Sequence, residues 1–306
     1  MIPSTLANIH IANAPCSWGV LEFDLPGKAL GYAQVLDEIR DTGYVGTELG
    51  DWGFMPTDPP QLRSTLDARG LAMVGAFVPV AFADGSAHAA GEALAVKTAR
   101  LLAAVEGHTP FIVLADDNGK DPSRTRKAGR ITNADGLSET QWTAFAHGVQ
   151  RVAQAVRDQT GLRCVFHHHC AGFIETPDEI ALLLQLTDPT LLGLCFDTGH
   201  YRFGGGDPLE GLKRHRDRIW HMHFKDCSPS VKDQSKSNDW DYFESLRHGV
   251  FCELGKGDVN FAAVTSELQR TGYSGWIVVE QDVLPGMGAP KEFARRNREF
   301  LKTCGL

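Results

Sequence analysis

Residues 191–208 read LLGLCFDTGHYRFGGGDP. Five apolar residues and a glycine run into Asp197, and Thr-Gly-His follows where the chain must turn. A short apolar run bounded by turn residues is the pattern of a strand buried on both faces. The pattern recurs along the chain: IHIANA at 9–14, YVGTELG at 44–50, LAMVGAFV at 71–78, FIVLAD at 111–116, RCVFHHH at 163–169, LLGLCFD at 191–197, IWHMHFKD at 219–226 and WIVVEQD at 276–282. Each run is followed by a helical segment. Such alternation predicts a parallel sheet with crossover helices. Eight runs in 306 residues predict one α/β domain over 1–306, a (β/α)8 TIM barrel. An open doubly wound sheet would need a glycine-rich phosphate turn after its first strand, and APCSWG at 14–19 is not one.

The helices carry their own signals. In ETPDEIALLL, Thr176 is placed to cap, Pro177 stands at the first helical position and Glu179 completes a capping box. NFAAVTSELQRTGY puts Phe261, Val264 and Leu268 on one face and stops at Gly272. The long stretch 227–258, after the seventh run, reads as an irregular active-site loop.

A net charge of -8 with no basic block argues against nucleic acid as a partner. No stretch approaches 18 apolar residues and the amino terminus lacks a leader pattern, so a cytoplasmic protein without a membrane partner is expected. The seven cysteines are scattered with no C-x-x-C pair, so neither a disulfide framework nor a zinc ribbon is expected. A homo-oligomer is compatible with this composition.

In a barrel the carboxyl ends of the strands share one mouth, where residues distant in sequence converge. The fifth run ends in His167, His168 and His169, with Glu175 just before the next helix. The sixth ends in Asp197 with His200 beyond it. The seventh gives His221, His223, Lys225 and Asp226, and the eighth gives Glu280 and Asp282. A lone acid at a strand end is ordinarily a cap, but carboxylates gathered in one cavity repel unless a cation sits between them. Carboxylate and imidazole without thiolate suit a divalent ion: Mn²⁺, Co²⁺, Mg²⁺ or Zn²⁺. Side-chain alternation points His168 away from the barrel and His167 and His169 inward, each either a ligand or a hydrogen-bonded core residue. His223, nearer the strand end, is a better ligand than His221. Lys225 at the mouth is expected to touch substrate. Glu48 either binds substrate or forms a salt bridge, and Trp18 is read as an apolar wall of the pocket in preference to a core residue.

The stretches GYVGTELG, HHHCAGFIETPDEI, LCFDTGHYRFGGGDP, RIWHMHFKD, GVFCELGKGDVNF and GYSGWIVVEQD resemble the xylose isomerase-like barrels, a family that includes sugar isomerases, epimerases and endonuclease IV. Within it the likeness is to the branch that dehydrates inososes, which are keto-cyclitols. The resemblance implies a metal, Mn²⁺ or Co²⁺ before Mg²⁺ or Zn²⁺, held by Glu175, Asp197, His223 and Glu280. In typical epimerases of the family the fifth strand ends in a ligating Glu. Here that place holds histidines, with His169 or His167 as the substitute for Glu175.

The expected substrate is a small polyhydroxy ketone or sugar that chelates the cation. Glu280 or His169 would remove its α proton, and Lys225 or His200 would orient or protonate oxygens. Trp18, Glu48, His167 and Asp226 are expected to bind substrate. A keto-sugar isomerase or epimerase shares this chemistry and is the alternative. A nuclease of the family or a non-catalytic sugar-binding protein ranks behind both.

Overall fold

The computed structural model describes residues 8–21, 23, 30–105, 109–284 and 286–306. Eight parallel strands close a barrel: β1 (Ile9–Asn13), β2 (Gly46–Glu48), β3 (Ala72–Pro79), β4 (Phe111–Ala115), β5 (Arg163–His167), β6 (Leu192–Asp197), β7 (Ile219–Phe224) and β8 (Gly275–Val279). Each strand pairs with its sequence neighbours, and β1 pairs with β8 to complete the ring. The TIM-barrel expectation is met.

Two layers of packing hold the ring. Outward side chains such as Leu114, Phe166, Phe196 and Phe224 meet apolar helix faces in the main core. Phe261, Val264 and Leu268 of the helix Phe261–Thr271 belong to the same core, and Gly272 ends that helix at φ +72°. The interior is filled by small clusters, Ala12, Ala14, Val74 and Val278 on one side and Val113, Val165 and Cys195 on the other. Two residues further along their strands, the inward positions turn polar. Val165 gives way to His167, Cys195 to Asp197 and Val278 to Glu280. A period of two keeps these positions on the inner face, so the polar layer lies at the carboxyl end of the barrel.

Strand ends differ from the sequence reading where side chains capture the backbone. β5 stops at His167, after which Ala171 takes φ +69° and the chain turns toward Glu175. The next helix begins by the predicted capping box: Glu179 N–H donates to Thr176 Oγ1 at 3.3 Å and Thr176 N–H to Glu179 Oε2 at 2.9 Å. β7 stops at Phe224, because Asp226–Cys227 leave the barrel to pair antiparallel with Phe251–Cys252. The 227–258 stretch is therefore ordered rather than irregular, with helices over Pro229–Ser237 and Tyr242–Arg247. No helix among the described residues is long and apolar enough to cross a membrane.

Candidate active site

β6 ends on an acid followed by Thr-Gly-His because of what those four residues touch. Asp197 caps the short helix Thr198–Phe203, its Oδ1 accepting the His200 N–H at 2.7 Å. Thr198 Oγ1 donates to the Lys225 carbonyl at 2.7 Å and accepts its N–H at 3.0 Å. Gly199 lies so close to Lys225 that a Cβ there would stand 2.6 Å from the lysine Cγ. His200 Nε2 is 3.1 Å from Lys225 Nζ. The motif thus clamps the end of β7 against the end of β6.

Asp197 pairs in register with His223, and His223 with Val278, two residues before Glu280. Pleat parity brings four buried side chains together: donor atoms of His167, Asp197, His223 and Glu280 all lie within 4.8 Å of one another. Asp197 Oδ2 is 3.6 Å from His167 Nε2 and 3.9 Å from His223 Nδ1, which is 3.2 Å from Glu280 Oε1. Asp197 Oδ2 and both His167 nitrogens are buried with no hydrogen-bond partner among the described residues. Leaving such atoms unsatisfied is costly, and a cation between two carboxylates and two imidazoles would satisfy them. The donor set fits a divalent ion. Cys195 also lies near His167 and His223, and burial pushes its thiol up to about 12.

Around this cluster a pocket of about 560 Å³, counting its open mouth, is lined on the polar side by Glu48, His167, His169, His223, Lys225, Glu280 and Asp282. Phe23, Phe77 and Val20 contribute apolar wall. Lys225 Nζ is held 3.2 Å from Glu280 Oε2 and 3.1 Å from Asp282 Oδ1. Burial opposes its charge, but Asp282 and Glu280 win and its pKa stands well above the ordinary lysine value. Burial would likewise raise Glu280, yet His223 and Lys225 hold its carboxyl well below the usual range. His169 donates from Nδ1 to the Cys170 carbonyl, which leaves the lone pair on Nε2, 3.4 Å from the Tyr242 hydroxyl. Burial, then the neighbouring His167 and Lys225, lowers the His169 pKa well below its ordinary value, so the ring is neutral. Glu48 Oε1 accepts from His221 Nε2 at 2.8 Å and His223 Nε2 at 3.1 Å. These imidazoles overcome burial and hold the Glu48 carboxyl well below the usual carboxylate range.

The structure places four expected site residues elsewhere. Glu175 is not brought to the cluster. Its oxygens accept the backbone N–H groups of Gly129 at 2.7 Å and Ala171 at 3.0 Å, and His167 stands in the corner expected for it. Asp226 turns away from the pocket to accept four backbone N–H groups, from Cys227, Gly255, Gly257 and Val259, and so organises the segment that follows β7. Trp18 is 2% exposed in the main core, its Nε1 donating to Glu38 Oε2 at 2.7 Å, and does not line the pocket. The turn over Pro15–Trp18 aims it outward, leaving Pro15 and Cys16 at the pocket wall. His200 stands behind Lys225 and is not a lining residue. His168 points outward as expected and accepts the Asp197 N–H at Nε2, bracing the β6 end from outside. Sequence reasoning left Asp282 without a role, although its parity with Glu280 signals the pocket. It missed Tyr242, which carries no motif.

The geometry accords with what the chain resembles. A family described as xylose isomerase-like TIM barrel matches residues 36–304. An inosose dehydratase of Geobacillus kaustophilus is 32% identical over 301 residues, covering 97% of this chain and 95% of its own. One from Lacticaseibacillus casei is 30% identical over 293 residues, covering 96% of each. Among solved structures, the probable 3-DHS dehydratase AsbF of Bacillus anthracis superimposes with a TM-score of 0.69 at 15% identity, over 96% of this chain and 98% of that one. With its closed eight-stranded barrel and the match over 36–304, the chain belongs to the xylose isomerase-like TIM barrel family.

Proposed function

We propose that the protein is a divalent-metal-dependent carbon–oxygen lyase that removes water from an inosose or a closely related polyhydroxy ketone. The observation that carries this reading is the buried His167, Asp197, His223 and Glu280 cluster at the floor of a pocket, in a chain about 30% identical to inosose dehydratases over nearly its whole length. His167, Asp197, His223 and Glu280 would hold the ion, and this nitrogen and oxygen set suits Mn²⁺, Co²⁺, Mg²⁺ or Zn²⁺. When bound, a divalent cation supplies a Lewis acid that polarises a carbonyl.

The chain's own groups divide the remaining work. His169, a neutral imidazole on the pocket lining, is the base for the proton on the carbon next to the carbonyl. Glu280, held ionised by His223 and Lys225, would be engaged by the ion. The Lys225 ammonium, fixed by Asp282 and Glu280, faces the oxygen on which negative charge develops. As the α C–H bond breaks its electrons form an enediolate. The β C–O bond then breaks, and the proton taken by His169 leaves with the β-hydroxyl as water. The enol that remains tautomerises to a dione. Val20, Phe23 and Phe77 keep bulk water from the intermediate.

The test is incubation of the metal-loaded protein with 2-keto-myo-inositol, followed by absorbance of the dione. Dione formation supports the lyase. Exchange of the α proton with D₂O without loss of water would replace it by a keto-sugar isomerase or epimerase.

A further inference from the structure

Glu48 is aimed by two local features. The pairing of β2 with β3 slips between Thr47, opposite Met73, and Glu48, opposite Gly75, and a bulge of this kind re-aims the side chain that follows it. Gly75 supplies the space. A Cβ on it would stand 2.9 Å from Glu48 Oε1, so the carboxylate fills the volume that a side chain on β3 would occupy. There Glu48 is 3% exposed and receives two imidazole N–H groups on one oxygen, from His221 at 2.8 Å and His223 at 3.1 Å.

A carboxylate oxygen only accepts, so His223 Nε2 carries a proton, and Nδ1, which a bound ion would take in place of a proton, points the other way. That direction is the cluster: His223 Nδ1 is 3.2 Å from Glu280 Oε1 and 3.9 Å from Asp197 Oδ2. We infer that Glu48 is a positioning residue for the cation site, fixing the tautomer and ring orientation of His223 and strengthening it as a ligand through Nδ1, with His221 bracing the carboxylate from β7. The inference rests on the metal reading given above. Carboxylates behind a ligating imidazole characteristically set metal affinity by about 10–100-fold.

The test is a Co²⁺ titration of metal-free protein, followed by the visible absorption of the bound ion and by calorimetry. It compares wild type, Glu48→Ala, Glu48→Gln and Gly75→Ala, with thermal unfolding of each metal-free protein. Wild type is expected to bind one ion per chain. Glu48→Ala should bind about 10–100-fold more weakly, and Glu48→Gln, which keeps an acceptor but loses the charge, should fall between them. Gly75→Ala meets only the far end of the Glu48 side chain and the Val113 methyl at 3.3 Å, so it displaces the carboxylate without deleting it and should weaken binding while the protein remains folded. Affinities within twofold of wild type in both alanine variants would overturn the inference and leave the metal reading standing. Two ions per wild-type chain, with the second lost in Glu48→Ala, would overturn it by making Glu48 a ligand. A wild-type chain that binds no ion would overturn the metal reading itself, and the inference with it.

Discussion

Asp197 and His200 are joined by one hydrogen bond, from the His200 N–H to Asp197 Oδ1 at 2.7 Å, and that bond turns the other carboxylate oxygen into the cluster. One side chain therefore caps a helix and serves as a corner of the proposed cation site. The two roles separate in Asp197→Asn. The amide oxygen keeps the cap, while its NH₂ replaces an anion in the cluster. The expected outcome is a melting temperature close to wild type without metal, and turnover reduced by about 10²-fold or more with metal present. Thermal unfolding and steady-state assays measure both.

Lys225 is buried between Glu280 and Asp282. Lys225→Met leaves both carboxylates without their cation. Breaking a buried pair from one side costs about 3–5 kcal/mol. The variant should be destabilised on that scale in chemical denaturation without metal, and should lose turnover. Adding Asp282→Asn should recover part of the stability and none of the turnover.

Glu175 gives a pH signature. Burial pushes its carboxyl from 4.5 up to about 7, against the pull of Arg124 and two backbone N–H groups. A raised carboxyl keeps a proton in the folded chain that the unfolded chain has already lost. Its contribution to stability is therefore fully present below about 4.5 and lost as pH rises through about 7. Glu175→Gln removes this dependence. Between pH 5 and 8 the stability of wild type should fall relative to the variant by on the order of 2 kcal/mol, measured by denaturant unfolding at each pH.

Trp18 separates core from pocket wall. Trp18→Phe deletes the N–H that meets Glu38 and part of a buried ring, so stability should fall by about 1–2 kcal/mol. KM should stay within twofold of wild type. A KM raised tenfold at unchanged stability would return Trp18 to the pocket wall.

The barrel was legible because its strands are short apolar runs, most of them ended by a polar residue, a local feature. The convergence of Asp197, His223 and Glu280 at one mouth was legible for the same reason, since strand-end parity alone carries it. What could not be read depends on backbone groups distant in sequence. Glu175 is claimed by the N–H of Gly129, 46 residues earlier, and by the turn at Ala171, so His167 stands in its corner. Asp226 is claimed by N–H groups about 30 residues later. The aim of Trp18 follows from a single 3₁₀ turn ending at Gly19, φ +78°. Tyr242 reaches His169 from a helix inside a stretch whose composition reads as loop.

The proposed reaction requires a cation held by His167, Asp197, His223 and Glu280. The most direct measurement is dehydration of 2-keto-myo-inositol by chelator-stripped protein as Mn²⁺ or Co²⁺ is added back. The stripped protein should give no dione, and recovery should saturate at one ion per chain. Full turnover by protein shown to be free of metal would contradict that requirement.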